Sequence, residues 1–417
     1  MYNIIPDFFK MYMQTLSFVK MFAINSKGGK IMSDVKALQQ ERQQLFTDLY
    51  EGRVPKRIPI YYNIGWEAAI QYAGYDLKEG QWDNSIVEDV YNKSCETFYS
   101  DVVPVAMTLR NPLHYQILKS KVIVMSSSGQ MQHPEMECLQ ASEYDEFIED
   151  PYKMMVDKLL PRIYGALDTT PGERALVLAK AFKAHNDENA FYGSIIGKMV
   201  DKYGYATIPT HGFGEAPFDF LADFLRSFSA VNLDTRRMPD KVIAACEAIT
   251  PHMIKLLVHM NPNPSIHKKG FIPLHMAPYL NQKQFEKFYW PTFKQVVEAM
   301  VEAGQGVDLF VEHDWMRYID YLAELPGRIR MRFEYGDPKL VKEKLQGKHI
   351  ISGLYPLTLL KTGTKQQCID KAKELIDILA PGGGFMFEFD KSALSIDDVN
   401  VENLIAVVEY VRDYGVY

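Results

Sequence analysis

The sequence predicts an α/β protein, a (β/α)8 TIM barrel with an N-terminal helical extension and an insertion after the second strand. Three observations carry that reading. Eight short β-like runs recur along the chain. Helical stretches separate the later ones, the signature of parallel βαβ units. The chain has 417 residues, 47% hydrophobic and 24% charged, which fits one large α/β domain or two smaller ones. Eight βα units in one chain of this length point to a closed barrel over an open sheet.

The runs, in order, are IPIYYN (58–63), DVVPVA (101–106), ATIPTHGF (206–213), FIPLHM (271–276), VDLFVE (307–312), IRMRFE (329–334), HIISGL (349–354) and FMFEF (385–389). Between the later runs, NQKQFEKFYWPTFKQVVEAMVEAG (281–304) keeps apolar residues at three- and four-residue spacing and stops at Gly304. TGTKQQCIDKAKELIDILAPGGG (362–384) opens at a Thr cap and closes at Pro-Gly-Gly-Gly, both helix-boundary signals. KVIVMSSSGQMQHPEME (121–137) is a ninth candidate strand. It falls in a long insertion, about 110–200, between the second and third barrel strands, of a kind that often covers a barrel mouth.

The first 31 residues are apolar and aromatic, but Asp7, Lys10 and Lys20 interrupt them. They are too broken for a membrane span and lack the layout of a signal peptide. Lys27-Gly28-Gly29-Lys30-Ile31-Met32 reads as a translated ribosome-binding sequence ahead of a start codon. Residues 1–31 are therefore expected to be a non-native or disordered extension, Met32 the biological start, and 32–417 the barrel. The rival reading is an interfacial amphipathic helix.

A net charge of -7, with no local Lys/Arg run to reverse it, argues against a nucleic-acid surface. No membrane partner is expected. Cys95, Cys138, Cys246 and Cys368 are far apart and form no CxxC pair, which argues against a structural thiolate zinc site. Sparse cysteine suits a reducing cytoplasm, the expected location. The phosphate-cradling motifs GxGxxG and GxxxxGK[ST] are absent, as are GxSxG and HExxH.

In a barrel of this type the chemistry collects where strands run out at their C-terminal ends. Reading those ends gives Asn63, Asp101 (at the start of its run), His211, His275, Glu312-His313-Asp314, Glu334-Tyr335, Tyr355, and Glu388 with Asp390. Converging on one rim, they would make a site with excess negative charge. Such a site calls for a metal ion, a cationic substrate, or protonated carboxyls poised as acids. Each residue also has an ordinary reading. Glu312 can cap the next helix, Trp315 can be packing, His275 a satisfied core residue, and Glu334 a partner of Arg330 or Arg332. His211 can hold a Gly-rich turn. His349 begins its strand and belongs to the opposite face.

GRVPKRIPIYYNIGWEAAIQYAG (52–74), SDVVPVA (100–106), HGFGEAPFDFLADFLR (211–226), the long helix before VDLFVEHDW, and PGGGFMFEFD (381–390) resemble, in order, the landmarks of the uroporphyrinogen decarboxylase superfamily. The resemblance spans about residues 35–417. It implies a (β/α)8 barrel and two branches of activity, porphyrinogen decarboxylation and cobalamin-dependent methyl transfer. The decarboxylase pattern is poorly kept. Its first-strand Arg-rich stretch reads YYNIGWEAAIQ, without Arg. Its Tyr, Ser and His fall on about Asp223, Glu312 and Asp390, and only its Asp is matched, by Asp101. A carboxylate-lined mouth would also repel a substrate bearing eight carboxylates. The zinc motif of the thiol-methylating branch is missing too, its positions reading Phe333-Glu334-Tyr335 and about Asp390.

FVEHDW, RFEYGDP and the final EYVRDYGVY are instead similar to a methoxy-compound group within the superfamily. That resemblance implies the methyltransferase component of an O-demethylase. Such an enzyme moves a methyl group from an aryl methyl ether to the cob(I)alamin of a separate corrinoid protein. Cob(I)alamin is already a strong nucleophile, so the enzyme must help a phenolate to leave, by a Lewis acid or a general acid. The implied catalytic residues are Glu312, Glu334 and Asp101. The implied metal ligands are His275, Glu312 and Glu334, with Zn2+ as the candidate ion. Asn63, Trp66, His211, Trp315 and Tyr355 are the implied substrate contacts, the aromatic ones, with Tyr61 and Tyr62, by stacking on a flat arene. A homodimer stays open. So do a uroporphyrinogen decarboxylase-like lyase acting on another carboxylate, and a silent binding protein on the same barrel.

Overall fold

The computed structural model describes residues 26–106 and 112–417. Its first helix, Ser26–Tyr50, runs through Met32. The rest of the 1–31 expectation lies outside the described residues.

Two extended segments, 58–64 and 101–106, occupy the first two barrel positions. Asp101 N–H donates to Ile60 O at 3.0 Å and Ile64 N–H to Pro104 O at 3.0 Å. The insertion follows. Its expected ninth strand is a small antiparallel hairpin, β1 (Val124–Met125) and β2 (Met131–Gln132). The insertion ends in a long helix, Pro171–Tyr203, with Thr170 capping its first turn and Gly204 in the left-handed region closing it. This helix packs along the barrel wall against Ser26–Tyr50 and Val87–Thr97. The stretch before it reaches the mouth side, where Glu135 accepts from Ser229 N–H and Cys138 N–H donates to Leu225 O.

Five parallel strands complete most of the ring, in the order β3 (Thr210–Phe213), β4 (Lys269–Leu274), β5 (Gly306–Val311), β6 (Arg330–Phe333) and β7 (Ile350–Gly353). The extended segment 385–390 is the eighth position. It takes hydrogen bonds from β7 (Ile351 N–H to Gly384 O, 2.9 Å) and closes on the first segment (Phe387 N–H to Pro59 O, 2.9 Å; Tyr61 N–H to Phe387 O, 3.0 Å). At the remaining junction Ala206 N–H donates to Asp101 O at 2.8 Å. Hydrogen bonds thus run around the whole circle, as a (β/α)8 barrel requires. Among the described residues one helix, Pro239–His259, is long and apolar enough to cross a bilayer, and it is a wall helix packed against Trp290–Glu302 and Tyr144–Glu149.

Strand alternation decides what enters the barrel. Phe271, Asp308, Arg330 and Ile350 share one level of register, and Pro273, Phe310, Arg332 and Ser352 the next. His275, Glu312 and Glu334 continue the same in-facing rows just past the strand ends. A packed (β/α)8 interior is filled by large apolar side chains. Here Phe213 is 47% exposed, and Phe271, Phe310 and Arg332 are half-buried, so the upper interior opens to the mouth.

The mouth is also where the backbone departs from ordinary conformations. His313 and Leu354, directly after β5 and β7, have φ of 57° and 64°, a region that costs non-glycine residues free energy. Gly353 has φ of 82°, and a Cβ there would lie 2.2 Å from Phe333 O. Gly353→Ala is therefore expected to lower the unfolding free energy by about 3 kcal/mol or more, read as a shift in the urea midpoint.

Candidate active site at the barrel mouth

The segment HGFGEAPFDFLADFLR leaves β3 and turns at once into a helix. Pro217 opens it at the first helical position, and the chain passes into a π-helical turn, Leu221–Arg226, a feature that often marks functional sites. Glu215, Asp219 and Asp223 stand four residues apart along it. Glu215 and Asp219 are buried. Opposite them, β4 and β5 end in His275 and Glu312.

His275 is the centre of the group. Its Nδ1 lies 2.5 Å from Asp223 Oδ2 and its Nε2 3.1 Å from Glu312 Oε1. Burial pulls its pKa down, but the hydrogen bonds to Asp223 and Glu312 outweigh that and push it up to about 12. Asp219 holds the strand end in place, accepting from the backbone N–H groups of His275 (3.1 Å) and Met276 (2.8 Å) and from the Tyr289 hydroxyl (2.6 Å). Burial pushes its pKa up to about 7. Glu215 is raised well above the usual carboxylate range, first by burial and then by Asp223. Its Oε2 is buried and has no hydrogen-bond partner among the described residues, a costly state for a carboxyl oxygen.

Four carboxylates thus surround one imidazole. One ligand atom from each of Glu215, Asp223 and His275 lies within 4.8 Å of the other two. Two carboxylates and an imidazole are a donor set that suits Zn2+ or a similar divalent ion. Three protein ligands leave a further position for substrate, as in catalytic sites. The orphaned Glu215 oxygen supplies the lone pair such an ion would take, so the residues fit the ion.

Several expected site residues fall elsewhere. Glu334 is on the mouth but apart from the His275 group. It accepts from Lys391 Nζ at 2.8 Å and from His313 N–H at 2.9 Å; burial raises its pKa, and these partners reverse the shift. Of the expected ligands His275, Glu312 and Glu334, the first two meet and Glu334 stands apart; the residues that could hold an ion together are Glu215, Asp223 and His275, with Glu312 on the other ring nitrogen. Asp101 belongs to the opposite end of the barrel. It is fully buried and takes two hydrogen bonds from Arg57, at 2.8 and 2.6 Å, and one from Ile60 N–H, at 2.8 Å. Its side chain is consumed by that clamp.

Trp66 packs against Tyr91 and Tyr192, and Trp315 against Phe285, Tyr289 and Tyr318. Both are buried, as is Tyr355, whose hydroxyl donates to Cys368 O at 2.9 Å. Their large apolar faces are core, not lining. Asn63 is half-buried at the end of its segment beside Ser392, and His211 is exposed on β3. Glu388 lies inside the barrel, and Asp390 caps the loop by accepting from the N–H groups of Leu357 and Lys391. Glu215, Asp219 and Asp223 had a legible signal in the sequence: three acids at a four-residue spacing among Phe, Leu and Ala, the last two on the helix that Pro217 opens.

A parallel-barrel fold whose mouth gathers carboxylates around a histidine defines a class of barrel enzymes with a cation-seeking site. The chain belongs to the uroporphyrinogen decarboxylase (URO-D) family, whose sequence model matches residues 179–414. A solved structure of a methyltransferase from Methanosarcina mazei is similar in fold, with a TM-score of 0.60 at 14% sequence identity over 89% of this chain and 98% of that one. No curated protein matches the chain in sequence.

Proposed function

We propose that this chain is a methyltransferase that takes the methyl group of an aryl methyl ether and passes it to the cob(I)alamin of a partner corrinoid protein. The observation that carries the reading is the His275 group: one imidazole among four carboxylates, with a buried carboxyl oxygen left open, at the rim of an interior lined by Phe213, Phe271 and Phe310. Membership of the URO-D family and the fold shared with a methyltransferase support it. Both allow other chemistry, and the site narrows the choice.

In the reaction the methyl–oxygen bond breaks, its electron pair stays on the phenolate oxygen, and the methyl carbon joins the cobalt of the partner. A bound Zn2+ would supply Lewis acidity at the ether oxygen. Glu215, Asp223 and His275 would hold it. Asp219 fixes the backbone of His275 and Met276, so the imidazole keeps its place between Asp223 and Glu312. If no ion is held, burial favours the protonated form of Glu215, a general acid for the departing oxygen. Asn63 and His211 remain candidate substrate contacts at the rim.

The test is direct. The full chain is mixed with a methoxyarene and chemically reduced cobalamin, and methylcobalamin is followed by its absorbance, with metal content measured on the same sample. Methylcobalamin and the free phenol in equal amounts are the expected result. Release of carbon dioxide from a carboxylate without cobalamin would overturn the reading in favour of a lyase.

A further inference from the structure

Below the mouth the barrel interior holds more cation than anion. Lys269, Arg330 and Arg332 face Asp308 and Glu388. Lys269 and Arg330 share Asp308 at 3.0 and 2.7 Å. Arg330 and Arg332 share Glu388, which also accepts from Ser352 Oγ at 3.0 Å. The lower two cations are sealed, with side chains 0% and 3% exposed, whereas the Arg332 side chain is 16% exposed. Arg332 Nη1 donates to Glu388 Oε1 at 3.0 Å, but its Nε is buried and has no partner among the described residues. Its guanidinium lies 4.0 Å from the centre of the half-buried Phe310 ring.

We infer that Arg332 is the anchor for a carboxylate carried on the substrate, so that the site acts on methoxylated aromatic carboxylates; this rests on the function proposed above. Three cations against two carboxylates, and an Arg332 Nε without a partner among the described residues, call for an anion, and a carboxylate suits a guanidinium. The spacing fits. Arg332 precedes Glu334 by two residues on the same in-facing row, a rise of about 6.6 Å. That is roughly the length of one para-disubstituted benzene ring. An arene held at Arg332 by its carboxylate, between Phe310 and Phe271, brings an ether oxygen at its other end to the level of Glu312 and His275. The charges also set its direction. Glu312 and Glu334 repel the carboxylate end, and Arg332 attracts it.

The experiment measures binding of 4-methoxybenzoate and of 4-methoxybenzyl alcohol to the full chain by calorimetry. The wild-type chain is expected to bind the benzoate about tenfold more tightly or better. Arg332→Gln is expected to bring the ratio of the two Kd values to about one, and Arg332→Lys to keep part of the preference. A wild-type ratio near one, or an unchanged ratio in Arg332→Gln, overturns the anchor; if Arg332→Gln does not fold, the wild-type and Arg332→Lys ratios decide. Methyl transfer from the neutral arene alone would keep the proposed function and remove the anchor. Tight benzoate binding without methyl transfer would do the reverse, and binding of neither arene would remove both.

Discussion

Replacing His275 with Ala is expected to slow methyl transfer from a methoxyarene to cob(I)alamin by about 10²–10⁴-fold, a barrier increase of about 3–5 kcal/mol. The same change is expected to strip the chain of bound divalent metal. The imidazole is the one basic group among Glu215, Asp219, Asp223 and Glu312, and it contacts two of them within 3.1 Å. Its loss removes a ligand and leaves like charges facing one another across a low-dielectric site. Fold integrity is checked by circular dichroism, because Asp219 still ties the backbone at this position through the two N–H groups. Glu215→Gln is the companion variant. It keeps the volume and removes the charge, so metal content should fall while the melting temperature holds or rises. A His275→Ala protein that retains wild-type turnover would move the reaction centre away from this group.

The second large effect lies at the other end of the barrel and has a different signature. Asp101→Ala is expected to cost about 3–5 kcal/mol of stability, a large part of the 5–15 kcal/mol that typical domains possess. The carboxylate sits between two buried guanidiniums, Arg57 at 2.6 Å and Arg42 at 3.5 Å. Arg42 also donates to Tyr203 O and Gly204 O, and the segment that Arg57 opens is bridged to Val416 near the C-terminus. The clamp thus joins the first helix, the first two barrel segments, the end of the long insertion helix and the chain terminus. Removing Asp101 leaves two buried cations and the Ile60 N–H without their acceptor. The loss should be visible as a lower urea midpoint, with turnover per folded molecule unchanged. Lost turnover at wild-type stability would return Asp101 to the catalytic role that the family resemblance assigned to it.

Asp101 shows how far residue matching can be trusted. The motif SDVVPVA lies on the second barrel segment. Its position at the start of that segment, however, puts it on the face that stabilises barrels, while the chemistry gathers at the other face. Trp66, Trp315 and Tyr355 teach a related lesson. Each lies close in sequence to a strand end, but the helix turn after the strand rotates its ring into the wall. Nothing in a local window distinguishes a ring that lines a cavity from one that fills a core. His275 and Glu312 were readable as strand ends. Their partners Asp219 and Asp223 lie on the helix after β3, beyond the strand end, where a strand-end pattern does not reach.

The sequence by itself determined the eight strand positions, their alternation with helices, the insertion after the second strand and the excess of acid at strand ends. These depend on hydrophobic period and turn chemistry, which act over a few neighbouring residues. Only the tertiary structure decided which charges meet: Asp223 with His275, Asp101 with Arg57, Arg332 with Glu388. Those pairings form across 44 to 56 residues of chain. Barrel closure and the in-or-out sense of each strand set them to within a few ångströms, and electrostatic interactions in a buried site depend on that distance.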